Sequence, residues 1–219
     1  AFTALIVVST ICPSTVQSFG AIDATTPRTV HEKAKLIQDV KIKAVAQAEQ
    51  LDNPDARVIL AQITSEMLLG EYAFAPQGIK TGDDNRWRRY MWEIETVKNG
   101  WQFYQSTVDG TLPYGGRSLV IDWSLKGQGM ACRRPKNQAV GRSGIGVSQM
   151  RALPATIYTG ERYDSNIGPI VPYDPNLIPA IWCFCSSLEY NAAVRKIDQA
   201  LKATNGSLIK VPFDLDYWQ

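Results

Sequence analysis

Histidine is nearly missing from this chain: His31 is the only one in 219 residues. Cysteine is scarce too, with Cys12, Cys132, Cys183 and Cys185 its four representatives. Structural zinc sites group Cys and His at short, fixed spacings, and no such pattern can be written here. Cys183 and Cys185 fall in an expected helix, where positions two apart point in different directions. We therefore expect no metal site, and we read the cysteines as buried free thiols of a cytosolic protein. Long hydrophobic runs are also absent. The strongest, Ala4-Leu5-Ile6-Val7-Val8, has no basic flank before it and falls far short of the about 20 residues that a bilayer requires. It reads as a buried strand, and no membrane segment is expected. Nor is there a global excess of one charge: the net value is +2, which by itself implies no polyanionic partner.

The motifs of common catalysis are lacking as well. Gly141-Arg142-Ser143-Gly144-Ile145-Gly146 misses the nucleophile elbow because its last glycine falls one residue late, and no histidine follows Ser143. Its glycine spacing is the reverse of a dinucleotide fingerprint, and no Gly-Lys-Ser/Thr phosphate loop exists. It reads as a flexible loop. A complete small enzyme is thereby disfavoured.

Several features are present. Hydrophobic residues at 45% and charged residues at 20% suit a packed globular protein. Thr29-Val30-His31-Glu32 has capping-box spacing. It predicts a helix to about Leu51, stopped by Asn53-Pro54-Asp55, with His31 exposed in its first turn. Short strands are expected over residues 101–108, 118–123, 155–159, 169–172 and 208–212, and a short helix over 61–72. The apolar stripe Leu177, Ile181, Phe184, Leu188, Val194, Ile197 and Leu201 predicts a long helix broken near Asn191 and closed by Asn205-Gly206. The charge distribution says more than the total. From Lys126 to Arg162 there are seven basic residues and one acid, Glu161, a composition suited to a polyanion. Another basic cluster, Arg86-Trp87-Arg88-Arg89, lies earlier in the chain, after a polar loop beginning at Gln77.

That loop and cluster form a distinctive phrase, Gly78-Ile79-Lys80-Thr81-Gly82-Asp83-Asp84-Asn85-Arg86-Trp87, with Trp92-Glu93 close behind. The phrase resembles the Gly-x-x-Thr-Gly-Asp-(Asn/Asp)-x-Arg-Phe segment of large adenine-specific DNA methyltransferases. These include type IIG restriction–modification enzymes and related phage-defence methylases. Residues 19–28 and 53–57 resemble that family's connector. Residues 158–169, Phe184-Cys185-Ser186-Ser187 and residues 204–213 resemble its recognition region. The departures are equally informative. The Asn/Asp-Pro-Pro-aromatic loop that holds the flipped base is missing, since Asn53-Pro54-Asp55-Ala56 and Asp174-Pro175-Asn176-Leu177 both lack the second proline and the aromatic. The glycine-rich turn for S-adenosylmethionine is missing too.

The resemblance implies a non-catalytic target-recognition domain, belonging to a longer bacterial or archaeal cytoplasmic protein or serving a separate catalytic subunit. S-adenosylmethionine is expected in the parent's catalytic domain, with no cofactor in this chain. The expected fold is α+β: a helical connector over residues 1–60, then a mixed α/β domain over 61–219 with a long C-terminal helix. The expected partners are double-stranded DNA and the catalytic methyltransferase domain. Arginine and lysine serve both phosphate contact and base reading. The candidates are Lys80, Thr81, Arg86, Arg88 and Arg89 in the first cluster, and Arg133, Arg134, Lys136 and Arg142 in the second. A structural alternative pairs the arginines of the first cluster with Asp83, Asp84 or Glu93, and uses Thr81, Asp83 and Asn85 as helix caps. The competing function is a protein-interaction module that uses exposed aromatics.

Overall fold

The computed structural model describes Ser14, residues 16–24, 26–27 and 29–51, Asn53, Val58, Leu60 and residues 67–219. The apolar run at Ala4–Val8, most of the Asn53–Arg57 phrase and the first part of the helix expected over 61–72 lie outside these residues. The chain divides into two compact units, Ala1–Thr64 and Ser65–Gln219, and its class is α+β.

In the first unit, strands β1 (Ser18–Ala21) and β2 (Lys43–Ala46) pair antiparallel, with helix α1 (Val30–Asp39) between them in sequence. The capping box is formed as the spacing predicts. The Thr29 hydroxyl accepts from Glu32 N at 3.3 Å, and Glu32 Oε2 accepts from Thr29 N at 3.1 Å. The helix stops at Asp39, short of the expected Leu51, because the residues after it join the sheet. The β-branched Val40, Ile42 and Val45 favour extended backbone, and pairing of Phe19 with Val45 makes Val45 a buried residue of this unit. Helix α1 buries no residue of its own, and His31 is exposed.

The second unit holds two four-stranded sheets. One has the order β3 (Ala73–Phe74), β10 (Ile167–Pro172), β7 (Gly144–Ser148), β8 (Ala155–Tyr158), all antiparallel. The other has the order β4 (Arg88–Tyr90), β6 (Leu119–Asp122), β5 (Trp101–Gln105), β9 (Arg162–Tyr163), with β5 and β9 parallel. The single turn α2 (Asp84–Trp87) precedes β4. The segment read as a flexible glycine loop is half strand. Every residue of β7 is buried, and a Cβ on Gly144 would stand 2.3 Å from the Ile170 carbonyl oxygen. Glycine there permits close approach of β7 and β10.

The expected C-terminal helical stretch is present as α3 (Ile178–Cys185) and α4 (Leu188–Ile197), broken at Ser186-Ser187 and not at Asn191. Ser187 caps α4 by accepting from Tyr190 N at 3.1 Å. Phe184 packs against Tyr190, Phe213 and Trp218 at centroid distances of 5.2, 5.2 and 5.3 Å. Asn205-Gly206, expected to close the long helix, instead begins helix α5 (Asn205–Ile209), which also takes the start of the strand expected over 208–212, and the short α6 (Leu215–Trp218) follows. The Thr204 hydroxyl accepts from Ser207 N at 3.2 Å, and Asp198 Oδ2 accepts from Thr204 N and the Ser207 hydroxyl at 3.0 and 2.6 Å. This buried polar cap starts the helix. Cys185 is buried, and burial raises its thiol pKa. Cys183 is exposed, contrary to the expectation of buried thiols. No single helix among the described residues is long and apolar enough to cross a membrane, and α3 and α4 reach that length only together, across an 84° bend.

Candidate nucleic-acid interface

The two basic clusters, about 50 residues apart in sequence, are joined by backbone hydrogen bonds. Lys80 N donates to Cys132 O at 2.9 Å, Cys132 N donates to Lys80 O at 2.8 Å, and Ala131 N donates to Thr81 O at 3.0 Å. On its other side Ile79 N donates to Tyr163 O at 2.8 Å, and Ser165 N donates to Ile79 O at 2.9 Å. The Gly78–Thr81 backbone is thus an inserted strip between two loops. Gly78 makes this possible: a Cβ there would lie 2.4 Å from Asp164 O.

The side chains sort into two groups. Lys80, Arg86, Arg133, Arg134 and Lys136 are exposed, and none forms an ion pair with a described acid. Arg134 Nη2 donates to Gln77 Oε1 at 2.6 Å, and the neighbouring Asn137 Nδ2 donates to Gln77 O at 3.0 Å. These bonds tie the second basic segment to the loop that leads into the first. Arg134 sits at φ 46° and Lys126 at φ 51°, the left-handed region that non-glycine residues seldom occupy. The Arg86 guanidinium lies 4.7 Å from the Trp87 ring centroid, and Trp87 is buried. An aromatic anchor beneath an accessible cation therefore exists at this turn.

The remaining candidates are committed to internal contacts. Thr81 is buried, and its hydroxyl donates to Asp84 Oδ1. Asp83 caps α2 by accepting from Arg86 N at 3.1 Å. Arg88 pairs with Asp84 and, at 2.8 Å, with Asp164. Arg89 turns back onto the carbonyls of Asn85 and Arg88. Arg142 is exposed but donates to Pro172 O at 2.9 Å and covers the Phe74 ring at 5.0 Å. The sequence proposed Thr81, Arg88, Arg89 and Arg142 for a DNA surface; in the structure each of them also contacts a neighbour within the fold. Glu161, the one acid of the basic stretch, faces Arg117 at 3.7 Å.

One group escaped the sequence reading. An open hollow of ≈ 660 Å³ is lined by Asn99, Gly100, Gln102, Trp123, Ser124, Lys126, Pro135 and Arg162. Parallel pairing of β9 with β5 carries Arg162 there, and Lys126 and Pro135 come from the basic segment. The only sequence signal was the place of Arg162 at the far end of that segment. Nearby, burial raises the pKa of Tyr104, and the Asp164 carboxylate adds to the rise; burial likewise raises Tyr158 and Tyr163. Among the described residues no group of His, Cys, Asp and Glu is arranged to hold a metal ion. Compared with known proteins, the chain matches no family model and no curated relative.

Proposed function

We propose that this chain is a double-stranded DNA recognition module serving an adenine-specific methyltransferase of the restriction–modification or phage-defence kind. The carrying observation is the union of two basic segments through the Lys80–Cys132 bridge. It sets Lys80 in the same strip as Arg133, Arg134 and Lys136, all exposed and unpaired with described acids. Cations held on a hydrogen-bonded strip suit phosphate contact, and each contact releases counterions. Arg86, raised on Trp87, is the best candidate for reaching a base edge. The methyltransferase assignment rests on the resemblance of residues 78–93. In that role the chain brings duplex DNA to a catalytic domain that binds S-adenosylmethionine and flips the adenine, and the cytoplasm of a bacterium or archaeon is its place.

A second reading has its own support. Tyr90 and Trp92 stack at 4.6 Å and 10°, and both are exposed, as is Phe103. These rings suit a protein partner. Salt separates the two readings. Binding of a duplex oligonucleotide, followed by fluorescence anisotropy from low to moderate salt, should weaken steeply. Replacing Arg133, Arg134 and Lys136 together by Ala should flatten the log–log salt slope by up to about 3 units. An unchanged slope in the folded triple variant refutes contact between this segment and DNA.

A further inference from the structure

We infer that the hollow between β5, β9 and the basic segment is a seat for a phosphate group, with Arg162 as its anchor and Lys126 as its second cation. The inference rests on the DNA reading above only for the source of the phosphate, a nucleic-acid backbone.

The anchor is built before any ligand arrives. The Arg162 guanidinium lies 3.7 Å from the Trp123 ring centroid, and Trp123 is itself buried. Arg162 Nε donates to Gln102 Oε1 at 2.9 Å. Close contact with the Trp123 ring and the Gln102 bond together restrict where the guanidinium can lie. Nη1 and Nη2 have no hydrogen-bond partner among the described residues, and they form the planar pair that meets two oxygens of a phosphate at once. The lining holds two cations and no acid. Burial also lowers the Arg162 pKa from its ordinary value, which marks a cation that has lost part of its hydration. An anion restores what that cation has lost. Stacking of a nucleobase directly on this Trp123 face is blocked, because Arg162 already covers it. That favours phosphate over base. Lys126 enters from the backbone turn whose amide donates to Trp123 O at 2.9 Å, so the same tryptophan positions both cations.

The test is a titration of the full chain, following the Trp123 indole N–H resonance with inorganic phosphate and, separately, with a duplex oligonucleotide. Both should shift it. Arg162→Gln should abolish the phosphate shift and weaken duplex binding by about tenfold, the loss expected for a charge-assisted hydrogen bond. Lys126→Gln, an exposed change that leaves the stack intact, should weaken phosphate by a smaller factor. Gln102→Ala should do likewise while leaving net charge unchanged, which a purely electrostatic role would not produce. If phosphate shifts Trp123 but no duplex binds, the seat stands and the DNA reading falls. Should duplex bind with the expected salt slope while Trp123 stays unmoved and Arg162→Gln binds as the parent does, the seat is overturned and the DNA reading survives. Absence of any phosphate shift in a folded parent also overturns it.

Discussion

Arg88 lies in the most distinctive phrase of the sequence, yet its partners assign it to the fold. Its side chain is 18% exposed and reaches Asp164, 14% exposed, at 2.8 Å, and also Asp84, 56% exposed. The Asp84 pair is open to water and should contribute only about 0.3–0.5 kcal/mol. The Asp164 pair is different. Removing one member of a buried pair strands the other, at about 3–5 kcal/mol. Asp164 would keep the Asn166 backbone N–H on Oδ1 at 2.7 Å, so Arg88→Ala should cost about 2–4 kcal/mol. At about 2–4 °C per kcal/mol for a domain of this size, Tm should fall by roughly 4–16 °C. Urea unfolding should show the midpoint moving with an unchanged slope. Arg88→Lys should lose roughly half as much, because an ammonium cannot fork between two carboxylates. The double change Arg88→Met, Asp164→Asn should recover part of the loss by removing both charges. An Arg88→Ala protein within about 0.5 kcal/mol of the parent would refute the bracing role. So would a double variant no more stable than the single one.

Further expectations follow from burial and from backbone contact. Tyr104, Tyr158, Tyr163 and Tyr190 have pKa values raised by burial. The folded protein therefore keeps four protons that the unfolded chain releases above pH 10, and stability should be lost as pH rises past that point. Each tyrosine should contribute about 1.4 kcal/mol of loss by pH 11. Absorbance at 295 nm should show these four ionising only together with unfolding by circular dichroism; reversible ionisation in folded protein would contradict their burial. Gly144→Ala places a Cβ 2.3 Å from the Ile170 carbonyl oxygen and should cost about 3 kcal/mol or more. Gly141→Ala meets nothing within 4 Å but sits at φ 86°, so about 1 kcal/mol of strain is expected. Equal urea midpoints for the two variants would contradict the close β7–β10 approach.

Local signals were legible in the sequence because their causes are local. Thr29 and Glu32 lie three residues apart, and that spacing alone closes the capping box. The apolar stripe of residues 177–201 announced the helical stretch that α3 and α4 form. The basic segment and the phrase at residues 78–93 were also visible, as composition and as pattern. Pairing over long distances was not. Lys43–Ala46 left the expected helix because β1 captured it, and Gly144–Gly146 left the expected loop because β10 and β8 flank them. In each case a partner distant in sequence overrode local propensity. The fate of the arginines was decided in the same way. Nothing near Arg88 in sequence shows that Asp164 waits for it, or that Pro172 takes Arg142, whereas Arg133 and Lys136 find no acid among the described residues and are exposed. A charge becomes a brace or a free contact according to what the tertiary fold sets opposite it. Coulomb attraction and desolvation act over a few ångströms of space, whatever the separation along the chain.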